Sequence, residues 1–175
     1  MRLIRTWPAE IPPGRSGYVV DGIERLEVRG YDARRLAGLG DDVLLLEWDV
    51  AAAKEDLAVF AAAARSTPGR VRVAPYRLYP EANPGLGGPI WAHRREPGNV
   101  PVTPDDPVCH RFGFGMVYLP QVLLEAFAKG WLAANPLGNL TDETFSGWHY
   151  RTQDPDVPIC WEVRPVHLHY RPPTL

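Results

Sequence analysis

The sequence predicts a three-layer α/β sandwich in a single domain spanning residues 1–175, with a mostly parallel central sheet and helices on both faces. Three observations predict it. "DDVLLLEWD" holds a continuous apolar run, Val43 to Leu46, as expected of a strand buried on both faces. In "KEDLAVFAAAAR", Leu57, Phe60, Ala61 and Ala64 recur at i, i+3, i+4 and i+7, one apolar helical face with Lys54 to Asp56 near its start. "GRVRVAPYRLY" then alternates Val71, Val73 and Pro75 against Arg70, Arg72 and Ala74, a half-buried strand. Strand, helix and strand at this spacing make a parallel crossover unit.

The remaining elements follow in order. After a glycine-rich loop over 83–89, "PIWAHR" reads as a short strand and "HRFGFGMVYLP" as another, interrupted by Gly113 and Gly115. Glycines inside a strand mark a bulge or a close approach by another group. Pro120 suits the first position of a helix in "PQVLLEAFAKGW". "LTDETFSGWHYR" predicts a second helix with Thr141 as N-cap and Thr144 at the capping-box position. The last strand, "ICWEVRPVHLHY", places His167 and His169 on one face.

Composition narrows the functional classes. A chain of 175 residues can bury a sizeable core, and 19 basic against 21 acidic residues leave a charge of -2. That balance offers no electrostatic footprint for nucleic acid and no polybasic face for lipid. No run of 18 apolar residues predicts a membrane span, and "MRLIRTWPAEIPP" lacks a signal-peptide core, so a cytoplasmic protein is expected. Cys109 and Cys160 have no zinc-like spacing and read as core thiols. The 19 prolines gather between the apolar segments, as in stiffened connecting loops.

Three groups of residues could carry chemistry. Glu47 and Asp49 sit where a central strand ends, the usual ligand-binding edge of an open α/β sheet. Alternation puts both on one side of the backbone if the strand persists, with Trp48 turned into packing. Two carboxylates this close suit a hard cation such as Mn²⁺ or Mg²⁺; the plainer reading is that Glu47 caps a loop and Asp49 N-caps the following helix. His167 and His169 could add imidazole ligands, or simply pack at an edge. Asp142 and Glu143 lie at a helix start, where the dipole favours an ionised general base. Beside them Phe145, Trp148, His149 and Tyr150 could form a wall for a sugar or base, or belong to the core.

Taken in order, these features resemble the GT-A fold glycosyltransferases, a Rossmann-like superfamily of nucleotide-diphospho-sugar transferases. "LLLEWDV" is similar to the family's Asp-x-Asp motif, with Glu47 in place of the first Asp. "FGFGMVYLPQVLLEAF" resembles its glycine-containing strand and helix, "TDETF" its acidic base pair in the order Asp-Glu, and "RPVHLHY" its C-terminal metal-binding histidine. The resemblance covers roughly 40–170; the part before Glu47 is short for a nucleotide-binding half. It implies sugar transfer from a nucleoside-diphosphate donor to an acceptor hydroxyl, with inversion. Asp49, His167 and His169 would bind Mn²⁺ or Mg²⁺, Glu47 would meet the donor, and Asp142 or Glu143 would act as base. Two other readings remain: a non-catalytic binding or assembly protein, and a metal-dependent hydrolase using Asp49, His167 and His169.

Overall fold

The structure, a computed structural model, describes residues 1–7, 22–76, 92–94 and 100–167. The first half contributes β1 (Arg2–Trp7), β2 (Glu24–Arg29), α1 (Ala33–Ala37), β3 (Val43–Glu47), β4 (Val50–Ala51), α2 (Lys54–Arg65) and β5 (Arg72–Val73). The second half adds β6 (Ala92–Arg94), β7 (Val100–Pro101), β8 (Val108–Cys109), β9 (Arg111–Phe112), β10 (Met116–Leu119), α3 (Gln121–Lys129), α4 (Trp131–Ala134), α5 (Asp142–Thr152), β11 (Val157–Pro158) and β12 (Val166–His167).

The expected mostly parallel three-layer sandwich is not formed. The main sheet has five strands in the order β2-β1-β3-β10-β5 and is mixed. β1 pairs in parallel with β2 and β3, whereas β10 runs against both β3 and β5. The smaller sheets, β7-β6-β9, β11-β8 and β12-β4, are all antiparallel. The crossover through α2 does carry the chain from β3 to a strand of the same direction, β5, but β10 fills the gap between them. Apolar periodicity reports burial on both faces, which a central antiparallel strand shares with a parallel one, so the sequence could not distinguish the two.

Alternation explains the apolar run in β3. Val43 and Leu45 enter a core with Ile4, Val73, Val117 and Leu119 of neighbouring strands, together with Leu36 of α1, Leu124 and Phe127 of α3, and Phe145 of α5. Leu44 and Leu46 enter a second core on the other face, with Leu3, Met116 and Tyr118. There α2 supplies Leu57, Phe60, Ala61 and Ala64, the four residues its periodicity singles out.

Local differences have local causes. "FGFG" splits the expected strand into β9 and β10, because a Cβ on Gly115 would lie 2.1 Å from the Tyr76 ring. The close approach is by an aromatic side chain of the same chain. Pro120 is the N-cap of α3, in extended conformation, one residue before the helix. α5 carries the full reciprocal capping box between Thr141 and Thr144. The expected last strand breaks at a turn at residues 161–162, leaving β12 as a short strand paired with β4. The glycine-rich loop 83–89 and His169 lie outside the described residues. Among the described residues no helix is long and apolar enough to cross a membrane.

Candidate functional site

The site forms where β1 and β3 end. β3 stops at Glu47, the chain turns through Trp48 and Asp49, and β4 begins at Val50. β12 pairs with β4 so that His167 stands opposite Val50, one residue from Asp49. Asp49 Oδ2 consequently lies 3.1 Å from His167 Nε2, the two side chains being 20% and 9% exposed. Asp49 Oδ1 is buried with no hydrogen-bond partner among the described residues. Asp49 is not a helix cap: α2 begins at Lys54 and its N-cap is Ala53, which makes no side-chain cap bond.

Residues 48–49 form a turn, so the strand does not persist to Asp49, the condition on which alternation would put both carboxylates on one side; the Asp49 charge still acts on Glu47. Glu47 Oε1 accepts a hydrogen bond from the Tyr31 hydroxyl at 2.5 Å, and Thr6 Oγ1 donates to the same hydroxyl oxygen at 3.1 Å. Burial pushes the Glu47 carboxyl up to about 7, against the Tyr31 hydrogen bond and with the help of the Asp49 and Asp142 charges. Burial first, then Glu47, holds the Tyr31 phenol well above its ordinary range, so it stays a donor. Tyr76 is raised in the same way, by burial and then by Glu47, Asp142 and Asp49. Its ring stacks on His167, with centroids 6.1 Å apart and planes 10° from parallel.

Arg5 sets the turn that presents Asp49. It is 4% exposed, donating from Nη2 to Trp48 O at 2.5 Å and from Nη1 to Val50 O at 3.2 Å. The guanidinium carbon sits 5.6 Å from the centroid of the Trp7 ring, which packs near the Trp48 ring at 6.2 Å. Both backbone neighbours of Asp49 are thus fixed by one buried cation.

A second part of the site is a cleft of about 650 Å³ lined by Asp142, Glu143, Arg111, Arg151, His93 and Trp131, among others. α5 delivers both acids at its first turn, where Asp142 Oδ1 accepts from the Glu143 amide at 2.8 Å. Asp142 is half-buried and Glu143 exposed. Asp142 belongs to the cleft, yet its charge acts on Glu47 and Tyr76. The structure therefore relates three of the sequence-predicted acids, Glu47, Asp49 and Asp142, electrostatically, and brings His167 into contact with one of them.

Of the two readings of these aromatics, the core one holds for Phe145, Trp148 and His149. Phe145, Trp148 and His149 are buried, with Phe145 and Trp148 in the core against Phe127, and Tyr150 leans on His110. Residues missed in the sequence are Arg5, Thr6, Tyr31 and Tyr76. Arg5 had one signal, a cation among apolar residues in "RLIRTW"; Tyr76 had another, the interrupting Gly115 that gives its ring room.

Among the described residues no group of three or more His, Cys, Asp or Glu side chains forms a ready-made metal cage. What Asp49 and His167 offer is smaller: one carboxylate with an orphaned buried oxygen and one imidazole nitrogen facing it. Asp49 and His167 are the two described residues here that could hold a cation, and in the structure they pair with each other.

No family model and no curated protein matches the chain. In structure it is similar to A197 from STIV, with a TM-score of 0.60 and 14% identity, covering 97% of this chain and 87% of that one. At that identity the likeness establishes a shared fold, one built around the mixed sheet and its short antiparallel satellites.

Proposed function

We propose that the protein is a metal-dependent glycosyltransferase that moves a sugar from a nucleoside-diphosphate donor to an acceptor hydroxyl. The observation that carries this reading is the meeting of Asp49 and His167 at 3.1 Å across the β4–β12 pairing, with one Asp49 oxygen buried and unpartnered. A buried carboxylate oxygen without a partner is costly, and a bound cation would satisfy it. Mn²⁺ or Mg²⁺ on Asp49 and His167 would neutralise charge on the departing diphosphate.

The chain's own groups divide the remaining work. Glu47, anchored through Oε1 to Tyr31, keeps its other oxygen for a donor hydroxyl. Asp142 is the base: the acceptor oxygen bonds to the anomeric carbon, the bond from that carbon to the diphosphate breaks, and the acceptor proton passes to Asp142. Asp142 is favoured over Glu143 because it is half-buried and within electrostatic reach of Glu47 and Tyr76. The buried free thiols Cys109 and Cys160 agree with a reducing, cytoplasmic setting.

Thermal denaturation with nucleoside diphosphates, with and without Mn²⁺, tests the reading. Saturation at about 100 times Kd stabilises by about 2.7 kcal/mol, or roughly 5–10 °C for a chain of this size. The shift should require Mn²⁺ and vanish in Asp49→Asn. Asp142→Asn should keep the shift and lose turnover. No metal-dependent shift with any nucleoside diphosphate would contradict transfer; a shift without turnover in the wild type would leave a binding protein.

A further inference from the structure

The cleft holds a convergence of positive charge that the transfer chemistry above does not use. Arg111 reaches it from β9 and Arg151 from the last turn of α5. Their guanidinium tips lean over the same residue: a Cβ on Gly147 would lie 2.6 Å from Arg111 Nη1 and 3.5 Å from Arg151 Nη1. Glycine leaves room for the Arg111 tip, while the Arg151 tip lies at ordinary contact distance. Among the described residues neither arginine has a carboxylate within ion-pair distance. Arg111 donates to the Glu143 carbonyl at 3.4 Å, a neutral acceptor. Asp142 and Glu143 line the same cleft but pair with neither arginine, and an oxyanion between the two guanidinium groups would take charge-assisted hydrogen bonds from both forks.

We propose that Arg111 and Arg151, converging over Gly147, form a phosphate-binding subsite in this cleft, and that the acceptor is a small molecule carrying a phosphate group. The word acceptor rests on the transfer reading; the phosphate site does not. Asp142 and Gly147 both line the cleft, separated on α5 by about 7.5 Å of axial rise and about 140° of rotation. An acceptor anchored over Gly147 would extend a hydroxyl to Asp142. A dianionic phosphate has oxygens for both guanidinium groups, whereas a single carboxylate is satisfied by one fork.

The test is titration with inorganic phosphate in EDTA, followed by calorimetry, on wild type, Arg111→Gln/Arg151→Gln, Gly147→Ala and Asp49→Asn. Phosphate should bind the wild type and Asp49→Asn alike, and the double variant at least about tenfold more weakly. Gly147→Ala keeps the helix, since Ala favours it, yet pushes the Arg111 tip aside, so it should weaken phosphate binding even if the double variant folds poorly. Acetate should bind more weakly than phosphate. Unchanged affinity in both arginine-site variants, loss in Asp49→Asn, or acetate binding as well as phosphate would overturn the proposal. Failure of the transfer reading appears separately, as nucleotide binding that is the same with and without Mn²⁺, since a nucleotide held by the two arginines alone needs no metal.

Discussion

Asp49, half-buried, and His149, buried, show two different uses of an ionisable side chain. Asp49 is held by a turn whose flanking carbonyls are both tied to Arg5, so its carboxylate is aimed before any ligand arrives. Arg5→Met should keep the apolar packing on Trp7 but free the turn, weakening Mn²⁺-dependent nucleotide binding by about tenfold in a thermal-shift titration. His149, by contrast, is packed among Phe112, Phe145 and Trp148 and 5% exposed. Burial lowers it to about 4, with Asp154 opposing and Arg70 adding to the effect. A base whose folded-state value lies below its unfolded value of about 6.5 binds its proton more readily when unfolded. Its contribution is therefore complete above about 6.5 and disappears as pH falls toward about 4, in total about 3 kcal/mol. His149→Phe should flatten the urea-unfolding stability between those two pH values; an unchanged profile would show that other groups govern acid unfolding.

At the scale of elements, α2 was fully legible because its four buried residues, Leu57, Phe60, Ala61 and Ala64, fall on one helical stripe. Phe60→Ala at its centre should cost about 3–5 kcal/mol in denaturant unfolding. β3 was equally legible in its burial, since each successive Leu enters the opposite core, but not in its neighbours, since β10 is just as apolar on both faces. β1 and β2 were not legible. β1 places Arg5 at a buried position, which breaks the apolar pattern, and β2 is charged at four of its six positions, so neither resembles a central or paired strand until the sheet is assembled. The glycine in "FGFG" was read for its effect but not its partner, because nothing in the sequence links Gly115 to Tyr76. Gly115→Ala should destabilise the fold by about 1–3 kcal/mol, as the methyl would enter the Tyr76 ring that stacks on His167. A neutral result in denaturant unfolding would mean that Tyr76 has room to move.

At the scale of the whole molecule, the site is an edge property of a mixed sheet. β1 brings Arg5 and Thr6, β3 brings Glu47, the turn brings Asp49, and β12 folds back from late in the chain to add His167. α5 then sets Asp142 within electrostatic reach on the cleft side. Sequence order put the acids and His167 on one list, and only the β4–β12 pairing made two of them neighbours. The central claim is that Asp49 and His167 hold a divalent cation for a nucleoside diphosphate. Anomalous scattering from a crystal grown with Mn²⁺ and a nucleoside diphosphate tests it most directly. The expected result is a manganese peak coordinated by Asp49 and His167 and by the diphosphate oxygens. A bound nucleotide with no such peak, or a peak that neither residue touches, would contradict it.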